Sequence, residues 1–129
     1  MAYQFYNPHP KGLTNRPDCM KRALCKVTGM DYMAVQRWMN QVKREIGASH
    51  YSDVEVGEEI ARREGWECLR FGVTEYDYSY GKGESCCLAF PKGKYILRMP
   101  RHWVACVDGV LYDTWDCRRT GVSKMWKIG

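Results

Sequence analysis

His102-Trp103-Val104-Ala105-Cys106-Val107-Asp108-Gly109-Val110-Leu111-Tyr112-Asp113-Thr114-Trp115 is the stretch on which the fold turns. Two apolar runs, His102 to Val107 and Val110 to Trp115, flank Asp-Gly, the dipeptide that most strongly signals a tight β-hairpin. If Asp108-Gly109 is a two-residue turn, Val107 pairs with Val110 and His102 comes to face Trp115. Asp113 then lies on the sheet face that carries His102, one diagonal step away. Diagonal neighbours sit roughly 7–8 Å apart at Cα, within reach of a carboxylate–imidazole hydrogen bond. Asp116 points to the opposite face in that register. A three-residue turn would slip the pairing by one and bring Asp116 opposite His102 instead. The two-residue turn is the expectation, with Asp113 as partner and Asp116 as the alternative acid.

Around this hairpin the second half of the chain reads as strands. Trp66 to Phe71, Lys94 to Met99 and Val122 to Ile128 have strand-like patterning, and Val73 to Ser85, rich in Gly, Tyr, Asp and Ser, reads as a loop. Tyr76, Tyr78 and Tyr80 crowd that loop. The first half reads as helices. Residues 1–17 form an extended arm, and helix one runs from Cys19 to Thr28 and stops at Gly29. Asp31 caps a second helix whose residues Tyr32, Val35, Trp38, Met39, Val42 and Ile46 fall at helical spacing before Gly47. A third helix covers Val56 to Glu64, ahead of Gly65. Helices first and an antiparallel sheet second define an α+β domain spanning residues 1–129.

The segment Asp18-Cys19-Met20-Lys21-Arg22-Ala23-Leu24 carries the chemistry. Pro17 and Asp18 suit the start and N-cap of helix one, so Cys19 falls in its first turn. There a thiol meets unpaired backbone N–H groups and the positive end of the helix dipole, and both favour the thiolate. His102 opens an apolar strand, where a neutral imidazole can take the thiol proton, and Asp113 can fix its tautomer and stabilise the imidazolium. Cys19, His102 and Asp113 are the candidate triad.

Composition narrows the field. Apolar residues make up 45% and charged residues 27%, ordinary for a globular chain, and no apolar run is long enough to cross a bilayer. The N-terminus lacks the layout of a secretory signal, and seven cysteines without one argue for free thiols in a reducing cytoplasm. The net charge of +5 is interspersed, with locally positive stretches only at Lys92 to Arg101 and Arg118 to Lys127, so nucleic-acid binding is not expected. Cys86, Cys87 and Cys117 lack the spacing of a zinc site; neither metal nor cofactor is expected. Cys25, Cys68 and Cys106 read as core, as do Trp38, Trp66, Trp103, Trp115 and Trp126. His9 and His50 read as surface residues.

Asp18-Cys19 at a helix start, followed much later by the His102 to Asp116 block, resembles the small papain-like cysteine peptidases of bacteria and their phages. The layout is similar to that of the double-glycine peptidase domains of bacteriocin exporters. The resemblance implies a central helix opened by the cysteine, packed on an antiparallel sheet whose adjacent strands carry the histidine and its acid. It implies cleavage of a peptide, isopeptide or side-chain amide through an acyl-thioenzyme. Cys19 would be the nucleophile, His102 the general base and then acid, and Asp113 the orienting residue. Relatives place an oxyanion-hole glutamine about six residues before the cysteine, where this chain has Leu13; Asn15 is the nearest side-chain amide, with the Cys19 backbone N–H as its partner. The expected partners are a peptide or protein substrate, or, for an inactive interaction module of phage or mobile-element origin, a host protein; no membrane is expected.

Overall fold

A computed structural model describes residues 2–69 and 81–129. Their element order is β1 (Tyr3–Phe5), α1 (Cys19–Thr28), α2 (Tyr32–Ile46), α3 (Val54–Arg63), β2 (Glu67–Leu69), α4 (Gly83–Ala89), β3 (Lys94–Met99), β4 (His102–Val107), β5 (Val110–Asp113) and β6 (Lys124–Ile128). The result is an α+β fold with one six-stranded open sheet in the order β1-β5-β4-β3-β6-β2. No described helix is long and apolar enough to cross a membrane.

The hairpin has the register read from Asp-Gly: Val107 pairs with Val110, Cys106 with Leu111 and Ala105 with Tyr112. Asp108 and Gly109 both have positive φ, 49° and 76°, the backbone that a two-residue primed turn requires. A second tight turn joins β3 to β4, pairing Met99 with His102 across Pro100 and left-handed Arg101. His102 is thereby pinned to the end of the sheet where β5 finishes with Asp113.

The helices end where their punctuation directs. Gly29 and Gly47 adopt the left-handed conformation, and Asp31 accepts a hydrogen bond from the Ala34 amide at 2.8 Å. Helices α1, α2 and α3 bury Leu24, Val35, Met39, Val56 and Ile60 against Ile96, Trp103, Ala105 and Trp126. A second core lies against α4, where Cys86 and Cys87 pack with Leu97, Met99, Val104, Cys106, Leu111 and Met125. Alternate residues of β3 and β4 thus supply opposite cores, so both strands carry unbroken apolar runs, Tyr95 to Leu97 and Trp103 to Val107. Helix α1 is buried along almost its whole length, from Met20 to Cys25. It is the central helix of the domain.

Several expectations are corrected. The sheet is mixed rather than antiparallel, because the N-terminal arm contributes β1, which runs parallel to β5. The end of the expected loop is helical: α4 begins at Gly83, and its two buried cysteines supply the packing that a Gly- and Ser-containing stretch lacks in local propensity. Gly83 is also closely packed; a Cβ there would lie 2.9 Å from Leu111 Cδ1 and 3.1 Å from the Cys117 carbonyl oxygen. Cys68 is exposed on edge strand β2 rather than core, and Trp115 is 45% exposed. Tyr76, Tyr78, Tyr80 and the rest of 70–80 lie outside the described residues.

Candidate active site

Cys19, His102 and Asp113 come together because each stands at the end of its element. Cys19 opens α1, His102 opens β4 and Asp113 closes β5. The His102 Nε2 is hydrogen-bonded to Asp113 Oδ2. The Cys19 sulfur lies close enough to the His102 side chain and the Trp103 backbone N–H for both to stabilise its thiolate. With Nε2 on the carboxylate side, Nδ1 is the ring nitrogen left to take the thiol proton. The His102 ring also packs on Trp115, with centroids 4.8 Å apart. Asp116, the alternative acid, is exposed and bound to Arg118 at 2.7 Å, away from the histidine.

The electrostatics favour a thiolate–imidazolium pair. Burial of His102 opposes its charge, but hydrogen bonds to Asp113, Cys117 and Cys19 outweigh burial and push its pKa up to about 11. Burial likewise opposes the Cys19 thiolate, yet His102, the Trp103 backbone and nearby Arg22 hold the thiol below its ordinary value. Burial would raise Asp113, and its bond to His102, with the Thr114 amide and Arg22, keeps it below the usual carboxylate range.

A buried ionic network supports the trio from behind. Arg22, 5% exposed, donates to Asp113 Oδ1 at 3.0 Å and to Asp18 Oδ1. Tyr32 donates its hydroxyl to Asp18 Oδ2 at 2.7 Å, and Lys21 donates to Tyr32 at 3.4 Å and to Gln36 Oε1 at 2.7 Å. This overturns the expected cap. The Asp18 carboxylate, turned inward to Arg22 and Tyr32, accepts no bond from the first-turn amides. Those amides keep their dipoles directed at the end of the helix where Cys19 sits. Sequence reasoning missed Arg22, Lys21 and Tyr32 as parts of the site; the one visible signal was the i, i+4 spacing of Asp18 and Arg22.

Cys117 is a second thiol at the site. Wholly buried, it lies 3.4 Å from Asp113 Oδ2, and burial raises its pKa, so it stays a protonated donor to the carboxylate rather than a rival nucleophile. His102, Asp113 and Cys117 each place a ligand atom within 4.8 Å of the others. The ring nitrogen and carboxylate oxygen are directly hydrogen-bonded, however, and so face one another rather than a common central point. Upstream, Leu13 is half-buried and Asn15 lies exposed in the bend before α1, its side chain making no hydrogen bond among the described residues.

Compared with protein-family models, curated proteins and solved structures, the chain matches none. The geometry alone therefore defines what the site offers: a sulfur at a helix start, a proton carrier beside it and a buried charge that orients the carrier.

Proposed function

We propose that this chain is a papain-like thiol hydrolase that cleaves a peptide, isopeptide or side-chain amide through an acyl-thioenzyme on Cys19. One observation carries the reading: the imidazole that stabilises the Cys19 thiolate is itself hydrogen-bonded to a buried carboxylate that Arg22 holds in place. The thiolate attacks the carbonyl carbon, and a C–S bond forms as the carbonyl π electrons move to oxygen. Collapse of that intermediate expels the amine, which takes the proton carried by His102. The neutral imidazole then takes a proton from water as its oxygen attacks the thioester carbon; the C–S bond breaks, the carboxylic acid is released and the thiolate–imidazolium pair is restored. On this reading the Cys19 backbone N–H and the Asn15 side-chain amide serve the oxyanion, and Leu13 supplies no donor where the relatives have glutamine.

That last feature favours a second reading, a catalytically weak or inactive interaction module of phage or mobile-element origin that binds a host protein. Losing one oxyanion donor costs on the order of 10²–10³ in rate, enough to separate the two readings. Incubation with a peptide-based thiol-reactive electrophile tests them. The hydrolase labels at Cys19 and loses the adduct in Cys19→Ala, and wild type turns over a matching peptide amide. A chain that labels without measurable turnover supports the interaction module. No adduct at Cys19 refutes an activated nucleophile.

A further inference from the structure

On the α2 side of α1 lies a cavity of about 470 Å³ that does not include Cys19. Its size falls within the range of about 300–1,000 Å³ typical of small-molecule sites. Lys11, Arg16 and Lys21 line it, and no carboxylate does. Lys21 forms the floor. It is 1% exposed, with Nζ above the rings of Tyr32 and Tyr51 at 4.4 and 4.5 Å from their centroids. Gln36 and the Tyr32 hydroxyl accept two of its three N–H bonds, and the third has no oxygen partner among the described residues. At the rim, Lys11 and Arg16 are exposed, and neither is ion-paired among the described residues.

Buried ammonium groups are held by acceptors, and here the donor capacity exceeds the acceptors present. A dianion would supply them. A phosphate monoester carries about −1.5 to −2 charges at pH 7 and three acceptor oxygens, one for each of three separated cations, where a carboxylate would satisfy fewer. Gln36 apart, the rest of the cavity is apolar or aromatic, including Met33, Tyr51 and Tyr32, the last with the His9 ring 4.9 Å away. Such walls suit a planar ring carried by the phosphate.

We propose that this cavity binds a small aryl or heteroaryl phosphate monoester, with Lys21 beneath the phosphate and Lys11 and Arg16 closing over it. The site does not depend on catalysis by Cys19, although Tyr32 and Asp18 join its floor to the network behind the candidate triad.

Calorimetric titration of the full chain with phenyl phosphate and with adenosine monophosphate, at fixed ionic strength, tests the site and distinguishes the aryl from the heteroaryl source. Inorganic phosphate and phenol serve as the partial ligands. One of the two esters binds with 1:1 stoichiometry, about tenfold or more tighter than either partial ligand, and the exposed double variant Lys11→Gln/Arg16→Gln weakens it about tenfold or more. Amide resonances shift around Arg16, Lys21 and Tyr51. Three results overturn the proposal: no saturable binding by either ester, unchanged affinity in the double variant, or shifts centred on His102 and Trp115.

Discussion

Asp113 concentrates four interactions on one carboxylate: it accepts from His102 and Cys117 at Oδ2 and from Arg22 and the Thr114 amide at Oδ1. Its charge holds the imidazolium, and the imidazolium holds the thiolate. Asp113→Asn removes the charge while leaving a side chain of the same shape. The imidazolium loses its counter-ion, the His102 pKa falls, the thiolate loses its positive neighbour and the Cys19 pKa rises. The midpoint of the pH profile of iodoacetamide labelling at Cys19 should therefore move upward by about one unit or more, each unit being about 1.4 kcal/mol. Asp116→Asn, altering an exposed acid paired with Arg118, should leave the midpoint in place. Equal midpoints in wild type and Asp113→Asn would detach Asp113 from the thiol. At this scale the sequence was informative where local rules act. Asp-Gly set a register that put Asp113 diagonal to His102, and helix-start logic singled out Cys19. Arg22 and Lys21 were not legible, because a charged side chain is assigned to solvent by default. Their burial arises from the topology that surrounds α1 on several sides.

Between elements, Arg22 is the tie from α1 to β5. It joins Asp18 on its own helix to Asp113 on the strand, with Arg22 and both acids almost fully buried. A buried triad of this kind need not be more stable than an apolar equivalent, but removing one member strands the charges of the others. Arg22→Met leaves the Asp18 carboxylate buried without its cation and Asp113 with His102 as its remaining charged partner, and the loss should be about 3–5 kcal/mol. The urea midpoint should fall with little change in slope. Restoring neutrality with Asp18→Asn in the Arg22→Met background should recover part of the loss; no recovery would mean that the cost is packing rather than charge. The elements themselves show what local sequence carries. The boundaries of α1 and α2 lay where Gly29, Asp31 and Gly47 indicated, because caps act within a turn. By contrast, β1 and α4 were read as arm and loop: one exists by pairing with β5 and the other by burying Cys86 and Cys87, contacts far apart along the chain.

For the molecule as a whole, the candidate dyad should leave its mark on how stability varies with pH. The His102 pKa is raised in the folded chain from 6.5 to about 11, so its contribution is complete below 6.5 and is lost as pH rises through about 11. The Cys19 pKa is lowered from 9.0, so its contribution is present above the ordinary thiol value and is lost as pH falls through the lowered one. The two slopes oppose each other. Above both 6.5 and the lowered Cys19 value, and below 9.0, the folded dyad holds one proton, on the ring, and the unfolded pair also holds one, on the sulfur. Equal proton counts mean no slope, so the dyad makes wild-type stability nearly flat in this interval, while Asp113 titrates below it. Cys19→Ala removes the sulfur from both states and unmasks the imidazolium. The folded variant then holds a proton that the unfolded chain has lost, and its stability should fall with rising pH by up to about 1.4 kcal/mol per unit. Urea unfolding of both proteins from about pH 6.5 to about pH 8.5 should show the variant's stability falling more steeply with rising pH than that of wild type. Parallel curves would mean that His102 is neutral when Cys19 is absent, and that Asp113 alone does not hold the proton on the ring.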